Sequence, residues 1–174
     1  MSHLAIISLD ATIAVTKYSR RTWWRRMKQG VVTKLQVDSR GRAMLMLKDV
    51  INELVMPLDD ESLKLLVKAD NGDAQAQAEI GALFALEHQK AGLVTGSDFI
   101  VPALYWLELA AEQGQADAMH WMGILYAGGY GGEKSQNLAL MWIARSAAHD
   151  HLIAQTQLSQ FLMRLPTYGL RREP

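Results

Sequence analysis

Apolar positions recur at helical spacing through the C-terminal two thirds of the chain. Segments rich in alanine and leucine alternate there with short turns that contain glycine or aspartate, which predicts a series of helices. Three of these segments align with one another, and Gly114 lies 42 residues after Gly72 while Asp150 lies 36 residues after Gly114. The aligned segments are 72–86, 114–128 and 150–164, and the partner helices between them are 101–114 and 137–150. Repeats of this length predict a short α-α solenoid.

The N-terminal third predicts a pair of short helices. Ser19 is suited to cap a helix that ends before Gly30, and Trp23 and Met27, four residues apart, would share its inner face. The segment 9–18 predicts a second short helix before it. The two together predict a helix-turn-helix.

A different pattern follows this pair. Two strand-like runs, 31–37 and 43–47, flank a turn that contains Asp38 and Gly41, which predicts a β-hairpin with a basic tip. The segment 47–55 then predicts one short closing helix with Val50 turned inward.

Charge divides the chain into two parts. The formal net charge is zero, but residues 1–50 carry +7 and residues 51–174 carry −7. Pro57 disfavours helix at Met56, so we place the boundary there: a basic module at 1–57 and a repeat domain at 58–174.

Composition narrows the class of protein. With 174 residues, 49% of them hydrophobic, the chain can bury a core. It contains no cysteine, which excludes disulfides and thiolate metal sites. The N-terminus lacks the basic start of a signal peptide, and no apolar run is long enough for a transmembrane helix. We therefore expect a cytoplasmic protein without a membrane partner.

The basic module is the candidate DNA-binding site. Arginine and lysine bind phosphates with release of counterions, and arginine can also contact guanine in the major groove. The predicted contacts on the second helix and the hairpin are Arg20, Arg21, Trp24, Arg25, Lys28, Arg40 and Arg42. The alternatives are a solvated basic face or a protein-binding surface. A membrane surface fits less well, because the helix is short and its apolar face is needed for the core.

The order of elements at 4–56 resembles the excisionase-like and MerR-like winged helix-turn-helix. The resemblance rests on "YSRRTWWRRMKQG" as the second helix, "KLQVDSRGRAMLM" as the wing and "LKDVINEL" as the closing helix. It implies that the second helix enters the major groove and that the wing contacts the backbone or the minor groove.

The segment 62–164 resembles the Sel1-like repeats of the tetratricopeptide superfamily. The residues that carry this resemblance are Ala118, Met122, Gly123, Tyr126 and Gly129, followed by Leu138, Ala139, Trp142 and Ala147. It implies a groove that binds a protein or peptide, or another copy of the chain, and the candidate contacts are Tyr105, His120 and Tyr130. The longer loop at 87–100 either adds a contact surface or only bridges two helices.

No motif in the sequence predicts catalysis, a cofactor or a metal site. The stretch "GGYGGEKS" departs from the phosphate-loop spacing, since Glu133 stands where the last glycine belongs. His149, Asp150 and His151 fit a polar helix junction better than a zinc site, with Asp150 able to cap the next helix. We therefore expect a non-enzymatic regulator or adaptor that binds a protein partner and contacts DNA. The alternative is a pure protein-interaction scaffold without DNA binding, and a homodimer is compatible with either.

Overall fold

The protein is described by a computed structural model that covers residues 5–91, 99–129 and 136–164. The described chain is mainly helical, with a two-stranded sheet near its start. In chain order the elements are β1 (Ile6–Ser8), α1 (Leu9–Ala14), α2 (Arg20–Lys28), β2 (Met44–Met46), two 3-10 turns (Leu47–Asp49 and Ile51–Glu53), α3 (Asp60–Asp70), α4 (Ala74–Lys90), α5 (Ile100–Glu112), α6 (Ala116–Gly128), α7 (Gln136–Ala148) and α8 (Leu152–Met163). None of the helices in the described ranges is long and apolar enough to cross a bilayer.

Helices α1 and α2 form the predicted pair. Ser8 and Ser19 precede them, and each hydroxyl accepts a hydrogen bond from the backbone N–H three residues later. Trp23 and Met27 are buried, as the spacing predicts. The indole Nε1 of Trp23 donates to Thr16 Oγ1 at 3.1 Å, which fixes α2 against the end of α1.

The predicted hairpin forms in part, and its second run has an additional partner earlier in the chain. Strand β2 pairs antiparallel with β1, with Ile7 opposite Leu45, and both of these side chains are fully buried. The segment 31–37 is not a strand and is joined to β2 by the isolated bridge between Lys34 and Leu45. Backbone hydrogen bonds from Leu35 N to the carbonyl of Met44 at 2.9 Å and from Asp38 N to that of Arg42 at 3.1 Å hold this segment beside β2 as the hairpin predicts. Burial of the apolar pair across β1 and β2 explains why β2 has a distant partner on its other edge.

The segment 47–55 forms two 3-10 turns instead of the predicted helix. Val50 is fully buried, as expected. Leu54 is extended and bridges Thr16, and the backbone N–H of Val55 donates to the carbonyl of Val15 at 3.0 Å. Because its last residues pair with the end of α1, this segment cannot continue as a helix.

From α4 onward the chain follows the predicted repeat. Helix α4 packs on α5, and α6 packs on α7. Gly81 allows the first close approach, since a Cβ there would lie 2.8 Å from Leu107 Cγ. Gly123 allows the second, with a Cβ 2.7 Å from Ile143 Cδ1. Ser159 occupies the equivalent position in α8 and is exposed.

The same turn recurs before each of the helices α4, α6 and α8. Gly72, Gly114 and Asp150 all adopt a left-handed conformation, with φ values of 100°, 90° and 65°. Glycine adopts this conformation without strain, whereas aspartate is only tolerated there. Asp150 therefore does not cap α8 as predicted. His151 does so instead, because its Nδ1 accepts the backbone N–H three residues later at 3.1 Å.

The basic module and the repeat stack share one hydrophobic core. A continuous cluster of buried residues runs from Ile7 and Trp23 to Leu125 in α6. At the junction, Asp70 at the end of α3 accepts hydrogen bonds from Ser8 N at 2.7 Å and Ser8 Oγ at 2.6 Å. The two parts therefore pack as one unit, while the domain boundary at Pro57 stays a prediction.

Candidate functional site

Four residues of α2 form a basic, solvent-facing surface, here called the α2 face: Arg21, Trp24, Arg25 and Lys28. All four are exposed, because the helical spacing that turns Trp23 inward leaves them on the opposite side. Among the described residues, the three cations have no carboxylate partner. Their charge is therefore available to an anionic ligand.

Lys34 extends the α2 face, although the sequence did not indicate it. Its Nζ lies 4.9 Å from the centre of the Trp24 ring, within cation–π distance. The contact arises because the segment after α2 folds back along β2, at the bridge between Lys34 and Leu45. The predicted hairpin brings 31–37 beside 43–47, but it does not predict which of its side chains contacts α2, so Lys34 is absent from the predicted contacts.

Arg26 differs from its neighbours on α2, because it faces inward. Its Nη2 donates to Glu53 Oε1 at 2.6 Å, and its guanidinium lies 4.8 Å from the Tyr18 ring centre and 5.3 Å from that of Trp23. The hydrogen bond from Arg26 lowers the pKa of Glu53. This arginine therefore fixes α2 to the 3-10 turns.

Arg20, predicted to contact DNA, lies at the edge of the α2 face and is paired. It bonds to Asp10 of α1, and the two line a pocket of about 330 Å³ together with Tyr105 and Val101 of α5. Burial raises the pKa of Tyr105. Arg20 and Tyr105 thus meet at the junction of the two parts of the molecule.

The two arginines of the predicted wing contact the repeat stack. Arg42 Nε bonds to Asp38 Oδ2 at 2.8 Å, and its Nη1 bonds to Asp70 Oδ1 at 2.7 Å. Only 3% of the Asp70 side chain is exposed, so this pair is largely removed from water. Arg40 is exposed, and its Nη2 donates to the carbonyl of Asn71 at 3.2 Å. We assign Arg42 a structural role and leave both arginines out of the α2 face.

A concave cleft of about 340 Å³ lies along α4, α6 and the start of α8. These helices are the aligned first members of the repeats, so each turns the same side toward the cleft. The cleft is lined by Gln75, Ala78, Glu79, Ala82, Asp117, His120, Trp121, Ile124, His151 and Ile153.

Two histidines stack inside the concave cleft. The rings of His120 and His151 are 4.3 Å apart at an angle of 29°. His120 Nε2 lies 3.0 Å from Gln157 Oε1, and burial lowers the pKa of His120. His151 Nδ1 accepts the capping bond of α8, while its Nε2 lies 3.3 Å from Asp117 Oδ1. Nε2 of each ring therefore faces an oxygen acceptor, and Nδ1 of His151 is occupied as the acceptor of the capping bond.

A second, more apolar cleft of about 610 Å³ opens between α6, α7 and α8. It is lined in part by Ile143 and Phe161, and Phe161 is 42% exposed. The equivalent positions one repeat earlier, Leu107 and Leu125, are fully buried. In the last described repeat these two side chains therefore line a cleft, whereas their equivalents in the preceding repeat are buried between helices.

The predicted partner-binding residues do not form one site. His120 lies in the concave cleft, whereas Tyr105 lies in the pocket beside Arg20. Tyr130 and the glycine-rich stretch at 130–135 lie outside the described residues, as does 92–98 of the long loop. Within the described ranges, no group of three histidine, aspartate or glutamate side chains could hold a metal ion.

The paired helices and the recurring left-handed turn define the C-terminal part as an α-helical repeat stack. No protein-family model matches the chain, and no curated protein matches it. Among solved structures, it is similar to a Sel1 repeat protein from Oxalobacter formigenes, with 32% sequence identity over 58% of this chain and 71% of that chain, and a TM-score of 0.46. On this identity and coverage, the chain belongs to the Sel1 repeat proteins.

Proposed function

We propose that this protein is a non-enzymatic adaptor whose concave cleft binds an extended segment of a protein partner. The observation that carries the proposal is the cleft itself. Aligned helices enclose apolar side chains such as Ala82 and Ile124, with polar groups at the rim. Apolar surface and a small number of polar groups are what a peptide site needs for affinity and orientation. The cytoplasmic location expected from the sequence stays a prediction.

A peptide-display selection on the whole chain tests this proposal. Ala82→Phe fills the concave cleft, and Ala127→Phe is the matched control, because Ala127 lines the second cleft instead. We expect peptides enriched on the wild type to lose at least ~10-fold in affinity for Ala82→Phe, about 1.4 kcal/mol, and to bind Ala127→Phe normally. Equal binding to both variants would refute the assignment of the cleft.

A second function, binding of double-stranded DNA, is favoured by the α2 face. Arg21, Arg25 and Lys28 have no carboxylate partner in the described part of the chain, and Lys34 adds a fourth cation beside them. Exposed cations that are not paired with carboxylates fit the phosphate backbone. The predicted winged helix-turn-helix assigns this helix to the major groove.

Salt dependence of duplex binding tests this second function. If the four cations each neutralise one phosphate, the logarithm of the binding constant should fall with the logarithm of salt concentration at a slope near −4, roughly −0.9 per contact. A chain that does not bind a mixed-sequence duplex even at low salt would be a pure protein-interaction scaffold. The homodimer stays a prediction, and sedimentation in the same buffers tests it.

A further inference from the structure

The rim of the concave cleft carries two carboxylates and no cation. Glu79 and Asp117 are both exposed, and the residues that line the cleft include neither lysine nor arginine. Ile124 and Ile153 line the cleft beside them. Two carboxylates on one concave surface attract a cation jointly, because their fields add.

Glu79 is held in place by a chain of side-chain amides. Gln75 Nε2 donates to Glu79 Oε1 at 2.7 Å, and Gln115 Nε2 donates to Gln75 Oε1 at 2.8 Å. These bonds orient the carboxylate without neutralising it. An oriented carboxylate loses less side-chain entropy when it binds a ligand.

Asp117 is the second carboxylate of the rim. Its neighbour in the cleft is His151 Nε2 at 3.3 Å, while Nδ1 of the same ring accepts the backbone N–H of Ala154 at the start of α8. The Asp117 side chain remains 62% exposed, so its carboxylate is open to a ligand.

His120 adds a third acceptor to the cleft. Only 8% of this residue is exposed, and its Nε2 donates to Gln157 Oε1 at 3.0 Å. The other ring nitrogen, Nδ1, therefore carries no proton, and it has no hydrogen-bond partner among the described residues. A ligand that brings N–H groups would complete this site.

We propose that the concave cleft binds an arginine side chain of the partner segment, flanked by an apolar residue. The inference rests on the proposed peptide function and specifies its ligand. A guanidinium offers five N–H donors to the carboxylates and to His120, and its plane can stack on the Trp121 ring. The flanking apolar side chain packs against Ile124 and Ile153. Lysine, a point charge with a stronger hydration shell, binds more weakly there.

Calorimetric titration of the whole chain with a matched peptide series tests the inference. The peptides are capped at both ends and have a central Arg, Lys, Gln or Glu between two leucines in an otherwise glycine–serine sequence. We expect the Arg peptide to bind at least ~10-fold more tightly than the Gln peptide, with Lys between them and Glu weakest. Equal affinity for Arg and Gln would overturn the inference.

Carboxamide variants at the rim of the concave cleft test whether its carboxylates cause the preference for the Arg peptide. Glu79→Gln and Asp117→Asn should each weaken the Arg peptide ~5-fold and leave the Gln peptide unchanged, since only charge is removed. Glu112→Gln is the control, because Glu112 is an exposed acid of α5 outside the cleft. If all three variants bind the Arg peptide as the wild type does, or if the chain binds only a second copy of itself in sedimentation, the inference is wrong.

Different results would refute the proposed peptide function and the inference that the cleft binds arginine. Display peptides that depend on Ala82 but contain no arginine would sustain the peptide function and overturn the arginine inference. An absence of any peptide that depends on Ala82 would overturn both.

Discussion

The α2 face and the concave cleft are opposite in charge and in shape. The α2 face is a convex surface on a single helix, with three arginine or lysine side chains that have no carboxylate partner in the described chain. The concave cleft is enclosed by α4, α6 and α8, and its charged rim residues, Glu79 and Asp117, are acidic. A chain with zero net charge can thus offer an anion-binding surface and a cation-binding surface, because its charges are separated in space.

Neighbouring carboxylates determine whether a basic residue is available to an anionic ligand. Arg21 and Arg42 both belong to the basic first third of the sequence. Arg21 is exposed and has no acid beside it in the described structure, whereas Arg42 lies between Asp38 and Asp70. Charge density along the sequence therefore marks the region but does not distinguish binding residues from structural ones.

The greatest loss of stability should come from the junction between the two regions. Arg42→Ala should lower the free energy of unfolding by about 3 kcal/mol, because the buried carboxylate of Asp70 would lose its cationic partner. Urea unfolding followed by tryptophan fluorescence measures this change. Arg40→Ala, at an exposed position in the same turn, is the control and should cost less than about 0.5 kcal/mol. Equal stability of the two variants would show that the Arg42–Asp70 pair is not structural.

The second effect concerns duplex binding, which should depend on the α2 face and not on the concave cleft. Arg21→Ala combined with Arg25→Ala should weaken duplex binding ~10-fold to 100-fold near ~0.1 M salt and reduce the magnitude of the salt slope by about 2. Stability and peptide binding should not change, since neither side chain has a partner in the described structure. Fluorescence anisotropy and thermal unfolding measure both. Loss of fold in the double variant would mean that these arginines are structural.

A smaller effect concerns how the free energy of unfolding depends on pH, and it should distinguish the concave cleft from the α2 face. Burial lowers the pKa of His120, so the unfolded chain binds more protons than the folded one as pH falls below about 6.5. The stability linked to His120 is therefore complete above that pH and is lost during acidification. His120→Gln should flatten the stability profile between about pH 7.5 and 5.5.

Neighbouring groups limit the size of this pH effect. His151 and Asp117 face His120, and His88, whose pKa burial also lowers, remains in the variant. Duplex binding by the α2 face should not follow the same profile, because its arginines and lysine do not titrate in this range. An unchanged stability profile in His120→Gln would contradict the environment described for the histidine pair.

The smallest effect concerns the turn before α8. Asp150→Gly should raise stability by about 0.5–1 kcal/mol, because glycine adopts the left-handed conformation that Gly72 and Gly114 already have. Asp73→Gly is a useful contrast, since Asp73 caps α4 and its loss should destabilise by about 0.5 kcal/mol or less. A destabilised Asp150→Gly would mean that the aspartate makes a compensating contact.

Much of the repeat stack could be predicted from sequence, because its signals are local and recur. The repeat spacing predicts the helices 101–114 and 114–128, and the structure has α5 at Ile100–Glu112 and α6 at Ala116–Gly128. Ser19 and Gly30 likewise marked the bounds of α2. The concave cleft followed from the alignment of α4, α6 and α8, but of its lining only His120 was assigned.

Long-range pairings could not be predicted, since no local pattern encodes them. Strand β2 pairs with β1, nearly forty residues earlier in the sequence, in addition to the adjacent run with which the hairpin was predicted. Asp70 is buried and joins Ser8 to Arg42, two residues that are distant from it in sequence. Asp150 adopts the left-handed conformation of the turn, so the capping position is the next residue. His151 therefore caps α8.

Two tryptophans report directly on the central claim that one chain carries two separate binding surfaces. Trp24 lies on the α2 face and Trp121 lies in the concave cleft, so their indole N–H signals in a nitrogen–proton NMR spectrum distinguish the surfaces. The Arg peptide should shift the Trp121 signal and leave Trp24 unchanged, and a DNA duplex should do the reverse. A peptide that binds without moving Trp121, or a duplex that leaves Trp24 unchanged, would contradict this account.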